Sequence, residues 1–361
     1  MLRFQWLQSY WMALLALICV CLAAFATTCT ATMGWLPRPT ELPAQETEPS
    51  NETPVATVGE FMDEIGFYQS IQLTQAEPIF RQQSDFQAIE IYESPHYGKI
   101  LVLDGGVQLT ERDADSYNEM MAHIPMFQHP KPVRVLLIGG GDGYVLSEIV
   151  KHESAQHVDH VDLDGEVIKV CQQYFPWSSA WKDPRVHLHV ADGAAFVRDA
   201  ETSTYDVIVQ DSSDPWTWSA TGELVVLPSS VLYTKEHFVN LHRILKPNGI
   251  LNIQAEALQI PSDLDGIRDW RRLALSAGFA SARYGSIMIS SYATGQIGLL
   301  MCEKDVESSS PTLIQQRYDK LVDTGKATSY YHPGLQTAAF VIPLWAQKHI
   351  YGTESREQSD E

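Results

Sequence analysis

The chain has 361 residues, 45% of them hydrophobic, which is enough for a large α/β domain with smaller parts attached. Its 25 basic against 45 acidic residues leave a formal charge of -20, which argues against nucleic acid as a partner and suits a cationic small molecule. Five cysteines exclude a disulfide framework or a zinc motif: Cys19, Cys21 and Cys29 lie in or beside an apolar run, leaving Cys171 and Cys302 far apart in sequence.

In chain order, residues 1–35 contain the uninterrupted apolar run Trp11–Ala26. It predicts a single-pass membrane anchor, or a secretory signal cleaved near Ala24-Phe25-Ala26, so the expected location is a membrane or else the secretory pathway. Residues 36–58 are rich in Pro, Glu and Thr and predict a disordered linker. Over residues 59–112 the pattern is alternation. Ser70–Ile79, Phe86–Tyr92 and Lys99–Leu109 place apolar residues two apart, and Asp104-Gly105-Gly106 forms a hairpin turn, which together predict a small N-terminal antiparallel β domain. Asp113–Phe127 has helical spacing, with Tyr117, Met120, Met121 and Ile124 on one side.

Val133–Ile138 reads as a strand buried on both faces, Arg134 apart. It breaks into Gly139, Gly140, Gly141, Asp142 and Gly143, and helical spacing resumes at Val145, Ile149 and Val150. A strand, a glycine turn and a helix open a nucleotide-binding α/β unit. Tyr144 stands where a dinucleotide fingerprint needs its third glycine, and no phosphate-binding G-x-x-x-x-G-K-[ST] occurs, so NAD and nucleoside triphosphates lose ground. Asp142 would repel a ligand phosphate or carboxylate and attract a cation, unless it only caps the following helix.

The βα rhythm repeats through strands at Val158–Leu163, Val186–Val190, Tyr205–Val209 and Gly249–Gln254, helices after Asp164, at Lys235–Leu245 and at Leu264–Ala277, and strands near Ala282–Ile289 and Gln296–Cys302. Residues 113–351 therefore predict an α/β domain with a Rossmann-like, class I methyltransferase-type sheet. The tail from Ser308 reads as peripheral apart from a helix within Thr337–Tyr351, and residues 352–361 as a polar end.

Ligands of open α/β sheets sit outside the carboxyl ends of the strands, and here those ends carry Asp142, Asp162 with Asp164, Asp192, and Asp211 with Asp214. Any one of them is more often a helix cap; the whole row is harder to dismiss. Asp162 is placed for ribose hydroxyls and Asp192 for an adenine amino group. Asp211 and Asp214 would repel each other unless a cation lies between them or one carries a raised pKa. Strand alternation puts His157 and Asp159 on one face and His160 and Asp162 on the other, so no metal is expected there.

Seven stretches, in order, resemble the polyamine aminopropyltransferase family, closest to its spermidine synthase branch. They are Gly98–Arg112 with Ser116–Met120, Ile138–Gly143, Ala191-Asp192-Gly193, Val207–Pro215, Gln254-Ala255-Glu256, Thr294–Gly298 and Ala338–Pro343. The resemblance implies transfer of an aminopropyl group from decarboxylated S-adenosylmethionine to putrescine, giving spermidine and methylthioadenosine, with the donor a co-substrate and no cofactor. It implies that Asp211 takes the proton of the attacking amine, helped by Tyr117 and Tyr292. The donor would be held by Gln87, Gln108, Gly140, Asp142, Asp162, Asp192 and Gly193, and the diamine by Asp214, Glu256 and Tyr68. A homodimer built through the β domain is also implied.

The chain departs from that pattern at Trp216–Val231, longer than the family's loop, at Tyr144 in place of a glycine, and at Tyr68 in place of a tryptophan. Trp216 and Trp218 read as a stacking lid or as surface anchors. Both acids of the Asp211–Asp214 stretch are kept, which favours a diamine acceptor over spermidine. Two alternatives stand beside this reading: a methyltransferase using intact S-adenosylmethionine, which Asp142 disfavours, and a membrane-tethered polyamine-binding protein without turnover.

Overall fold

The structure, a computed structural model, describes residues 55–218, 224–305 and 309–352. Strands β1 (Thr57–Met62) and β2 (Phe67–Gln72) form an antiparallel hairpin, and β3 (Phe80–Gln83), β4 (Ala88–Ser94), β5 (Gly98–Leu103) and β6 (Gly106–Thr110) form a four-stranded antiparallel meander. The expected turn is there: Asp104 and Gly105 both have positive φ, 49° and 86°, which fits a two-residue loop between right-twisted strands. The single strand expected over Ser70–Ile79 is broken. Leu73 N–H bonds Ala56 while Thr74 N–H bonds Glu93, so the chain leaves the hairpin for the meander at that point, and β3 begins only after Pro78. The last two residues of the expected linker, Thr57 and Val58, start β1.

Helix α1 (Ala114–Gln128) is buried on nearly every side, as its scarcity of charge allows. The α/β part then runs β7 (Arg134–Gly139), α2 (Tyr144–Ile149), β8 (His157–Asp162), α3 (Gly165–Tyr174), β9 (Val186–Val190), α4 (Gly193–Asp199) and β10 (Tyr205–Asp211). It continues through the short pair β11 (Trp216–Trp218) and β12 (Leu224–Val226), α5 (Lys235–Ile244), β13 (Leu245–Ala255), α6 (Pro261–Ser276), β14 (Ser281–Met288) and β15 (Gln296–Glu303). The seven-stranded sheet has the order β14-β15-β13-β10-β7-β8-β9, with β15 antiparallel to both neighbours. The expected Rossmann-like sheet with an N-terminal antiparallel β domain is what the chain forms. Strand order reverses beside β7, so a cleft opens at its carboxyl end between the tips of β7 and β10, where such sheets hold ligands. Two apolar clusters fill the sheet's surroundings, one led by Met121, Leu137 and Leu299, the other by Leu136, Ile208 and Leu251.

Three further expectations need correction. The region after Ser308 is not peripheral: α7 (Pro311–Asp323) buries Ile314 and Leu321, and α8 (Pro333–Ala339) and α9 (Leu344–Tyr351) bury Ala339, Ala346 and Ile350. Trp216 is no surface anchor, because its ring lies 5.7 Å from that of Trp270 on α6. The membrane location is overturned: a span needs about 20 apolar residues, and no helix among the described residues is long and apolar enough, the longest, α6, having 16. The run behind that expectation, with the single-pass anchor and signal readings of residues 1–35, lies outside the described residues, as do 36–54 and 353–361.

Candidate active site

The glycine turn is fixed by close approach to β10. Gly139 has φ 76°, and a Cβ there would sit 2.0 Å from the Asp211 carbonyl oxygen, so only glycine is admitted. Gly140 N–H donates to that same carbonyl at 2.8 Å, tying the turn to Asp211. Behind the turn, Trp181 Nε1 donates to His160 Nδ1 at 3.0 Å, which leaves the Nε2 proton for the Gly139 carbonyl at 2.8 Å. Burial lowers His160 to about 4, so this imidazole stays neutral. Tyr144, the departure from the usual glycine, stacks on Trp177 with ring centroids 4.5 Å apart and gives its hydroxyl to Asp115. Trp177 Nε1 in turn holds the Asp142 carbonyl at 2.7 Å.

Along the rim, Asp142 Oδ1 accepts Tyr144 N–H at 2.8 Å from one residue ahead of the helix's N-cap, Gly143, so it is not itself the cap; burial raises its carboxyl to about 6. Asp162 Oδ1 accepts Asp164 N–H at 2.8 Å, and Asp162 Oδ2 lies so close to Gly141 that a Cβ there would be 2.8 Å away. Burial, with the charges of Asp164 and Asp142 adding to it, lifts Asp162 to about 7. Gln87 reaches this group only indirectly: its Nε2 donates to Asp164 Oδ2 at 3.1 Å, beside Ser84 Oγ at 2.6 Å. Asp192 caps α4 through Ala194 N–H at 2.8 Å and Ala195 N–H at 3.3 Å and is exposed. It makes no bond to the other acids. Gly193 packs so tightly that a Cβ would meet Ile138 at 2.7 Å.

At the tip of β10, Tyr117 from α1 donates to Asp211 Oδ1 at 2.6 Å. Burial first, then the charge of Asp142, raises Asp211 to about 7, against the lowering effect of the Tyr117 bond. Burial and the neighbouring Asp211 push Tyr117 well above the usual phenol range, so it remains a donor. Tyr292 packs 6.3 Å from the Tyr117 ring centre but gives its hydroxyl to the Gln108 backbone carbonyl at 2.6 Å. Gln108 thus enters through its backbone; its side chain is exposed. Tyr68 is 56% exposed on β2, a strand joined to the Tyr292 loop by the Gln69 Nε2 bond to the Ser290 carbonyl, 2.7 Å.

Asp214 and Glu256 meet on the other side of Asp211. Asp214 Oδ1 accepts from Gln254 Nε2 at 3.2 Å, and Gln254 Oε1 accepts from Tyr233 at 3.0 Å. Although exposed at the mouth of the cleft, Asp214 is ringed by enough protein for desolvation to raise its carboxyl. Burial and the charge of Asp214 push Glu256 well above the ordinary carboxyl range. Sequence reading did not pick out Ser84, His160, Tyr233 or Gln254 for the site. Gln254 alone had a signal: it lies two residues before Glu256, which directly follows β13, and residues two apart in extended chain point to one side. Among the described residues no cationic side chain is paired with Asp142, Asp162, Asp211, Asp214 or Glu256, an arrangement suited to gripping a polycation and accepting a proton from it.

Residues 114–310 match the family described as "Spermine/spermidine synthase domain", and residues 63–111 match "Spermidine synthase tetramerisation domain". The chain is 36% identical over 280 residues to spermidine synthase 2 of Arabidopsis thaliana, covering 75% of this chain and 78% of that protein. It is 37% identical over 282 residues to spermidine synthase of Schizosaccharomyces pombe, covering 77% and 89%. A crystal structure of spermidine synthase in complex with the transition state analogue AdoDATO superposes with a TM-score of 0.71 at 28% identity, over 85% of this chain and 98% of that one.

Proposed function

Because the chain belongs to the spermine/spermidine synthase family, and is an aminopropyltransferase on that ground, we propose that it joins decarboxylated S-adenosylmethionine to putrescine, giving spermidine and methylthioadenosine. The observation that carries this choice is Asp211, a half-buried carboxylate raised to about 7 and bonded by Tyr117 at 2.6 Å, with acids on either side. An alkylamine near pKa ~10 is protonated at neutral pH and cannot attack. Asp211 takes the proton from one end of the diamine while Asp214 and Glu256 keep the other end charged, with Tyr68 flanking it. The freed lone pair forms a bond to the methylene beside the sulfonium, the C–S bond breaks, and its electron pair stays on sulfur. The sulfide leaves neutral and needs no acid.

On the donor side, Asp142 faces the aminopropyl ammonium, Asp162 the ribose hydroxyls and Asp192 the adenine, with Gly140 and Gly193 allowing close approach and Gln87 and Gln108 lining the wall. Asp142 favours a donor lacking a carboxylate, which disfavours intact S-adenosylmethionine and a methyl transfer. No cofactor enters this scheme. Because residues 63–111 match a tetramerisation domain, self-association through the β domain is part of the proposal, and light scattering separates a dimer from a tetramer. The reaction is tested by incubating the full chain with putrescine and decarboxylated donor. Release of methylthioadenosine with a product heavier by an aminopropyl group is expected; a methylated product with intact donor, or none, would sink the reading.

A further inference from the structure

The row of acids continues past Asp214 and Glu256. Asp263, in the first turn of α6, accepts the Ala257 N–H, which sets it beside the residue after Glu256. Glu64, from the turn between β1 and β2, accepts Ser262 N–H at 3.0 Å and Ser262 Oγ at 2.6 Å, bringing a carboxylate of the N-terminal domain onto the same turn of α6. Among the described residues no cationic side chain is paired with Asp214, Glu256 or Asp263. Glu256 itself is 5% exposed, and its Oε1 has no hydrogen-bond partner. A buried carboxylate oxygen left unpaired is strongly disfavoured unless a donor arrives from outside the protein. The acids therefore form steps leading away from Asp211: Asp214 with Glu256, then Asp263 with Glu64.

A diamine with one nitrogen at Asp211 and the other at Asp214 and Glu256 has no charge left for the outer step. We propose that Asp263, backed by Glu64, sets acceptor length: it takes the outermost ammonium of linear polyamines longer than putrescine, so that triamines of the spermidine type occupy the same cleft. This rests on the reading that Asp214 and Glu256 face the acceptor, and it departs from the expectation that keeping both acids of the Asp211–Asp214 stretch favours a diamine. Burial, then the charges of Asp214 and Glu64, raise Asp263 to about 8, which marks a carboxyl that an arriving ammonium would stabilise in its charged form.

The test is calorimetric titration of the full chain with putrescine and with spermidine, in the presence of methylthioadenosine, for the parent protein, Asp263→Asn and Glu64→Gln. The parent binds spermidine at least as tightly as putrescine. Asp263→Asn lowers the spermidine-to-putrescine affinity ratio about tenfold and Glu64→Gln lowers it about threefold. A ratio unmoved in both variants, including the case where both affinities fall together because Asp263 merely supports the Ala257 turn, overturns the proposal. So does a parent protein that binds putrescine but not spermidine. If Asp263→Asn does not fold, Glu64→Gln, on the other domain, decides. Binding is read without turnover, so failure to release methylthioadenosine from any acceptor would count against the transfer reaction and leave the length ratio to judge this inference.

Discussion

Asp211 must be ionised to accept a proton, yet burial and the charge of Asp142 hold its carboxyl near 7, with only the Tyr117 bond working the other way. Below that pH the carboxyl is protonated and no base is present. In the full chain kcat/KM should therefore climb with pH through about 7, falling about tenfold per unit below it, as initial rates over a pH series will show. Asp211→Asn preserves shape and removes the base: kcat drops roughly 10²–10⁴-fold, putrescine KM moves little, and the slope disappears. Asp214→Asn should do the opposite, weakening putrescine about tenfold with kcat largely kept. Steady-state kinetics with the two patterns exchanged would swap the assigned roles. The places of Asp142, Asp162, Asp211 and Asp214 along the sheet's carboxyl edge were legible because each stands at or just past the end of a parallel strand, and that position is a local property. What their oxygens bond is not local. That Gln87 works through Asp164, that Tyr292 gives its hydroxyl to the Gln108 backbone, and that Asp192 caps α4 depend on segments distant in sequence or on an exact φ/ψ.

At the level of elements, the site depends on how the β6–α1 junction is fastened to the loop between β14 and β15. Asp113 does this with four bonds, from Thr110 Oγ1 at 2.6 Å, Ser290 Oγ at 2.7 Å, Ser291 N–H at 2.8 Å and Ser291 Oγ at 3.1 Å. Tyr117 lies one turn into α1 and Tyr292 one residue past Ser291, so one carboxylate positions both tyrosines. Asp113→Ala should cost about 1–3 kcal/mol in urea unfolding, because several donors lose their partner together. It should also lower kcat more than KM, while a variant with unchanged kcat would detach Tyr292 from the reaction. The strands and most helices could be read from periodicity, since the α/β rhythm repeats within 20 or so residues. Helix α7 could not. Its buried pair, Ile314 and Leu321, is seven residues apart, while Leu313 and Val322 are 45% and 42% exposed, so the apolar stripe is smeared around the helix. What buries that helix is α1, whose Phe127 carbonyl accepts from Arg317, a contact spanning nearly 200 residues that no local window contains.

For the whole molecule, the acidic cleft is a source of instability that depends on pH. Asp162 and Asp211 are raised to about 7 in the fold and Asp142 to about 6, against roughly 3.9 in an unfolded chain. Over that interval the fold holds protons that the unfolded chain has released. Their contribution to stability is full below about pH 4 and is lost as pH rises through about 7. A dication bound in the cleft compensates the charges that appear, so it should stabilise the fold more at about pH 8 than at about pH 5.5. The surface, with a formal charge of -20, also favours unfolding as pH rises, and the two contributions must be separated. Asp142→Asn with Asp162→Asn removes two of the shifted groups while changing the surface little. In thermal melts the parent should lose more of its Tm between these two pH values than the double variant, and saturating putrescine should narrow that difference. An equal loss in both proteins would place the pH sensitivity in the outer charge and not in the cleft. The acids would then be held apart well enough to ionise without help, and the cleft would have no need of a polycation to settle it.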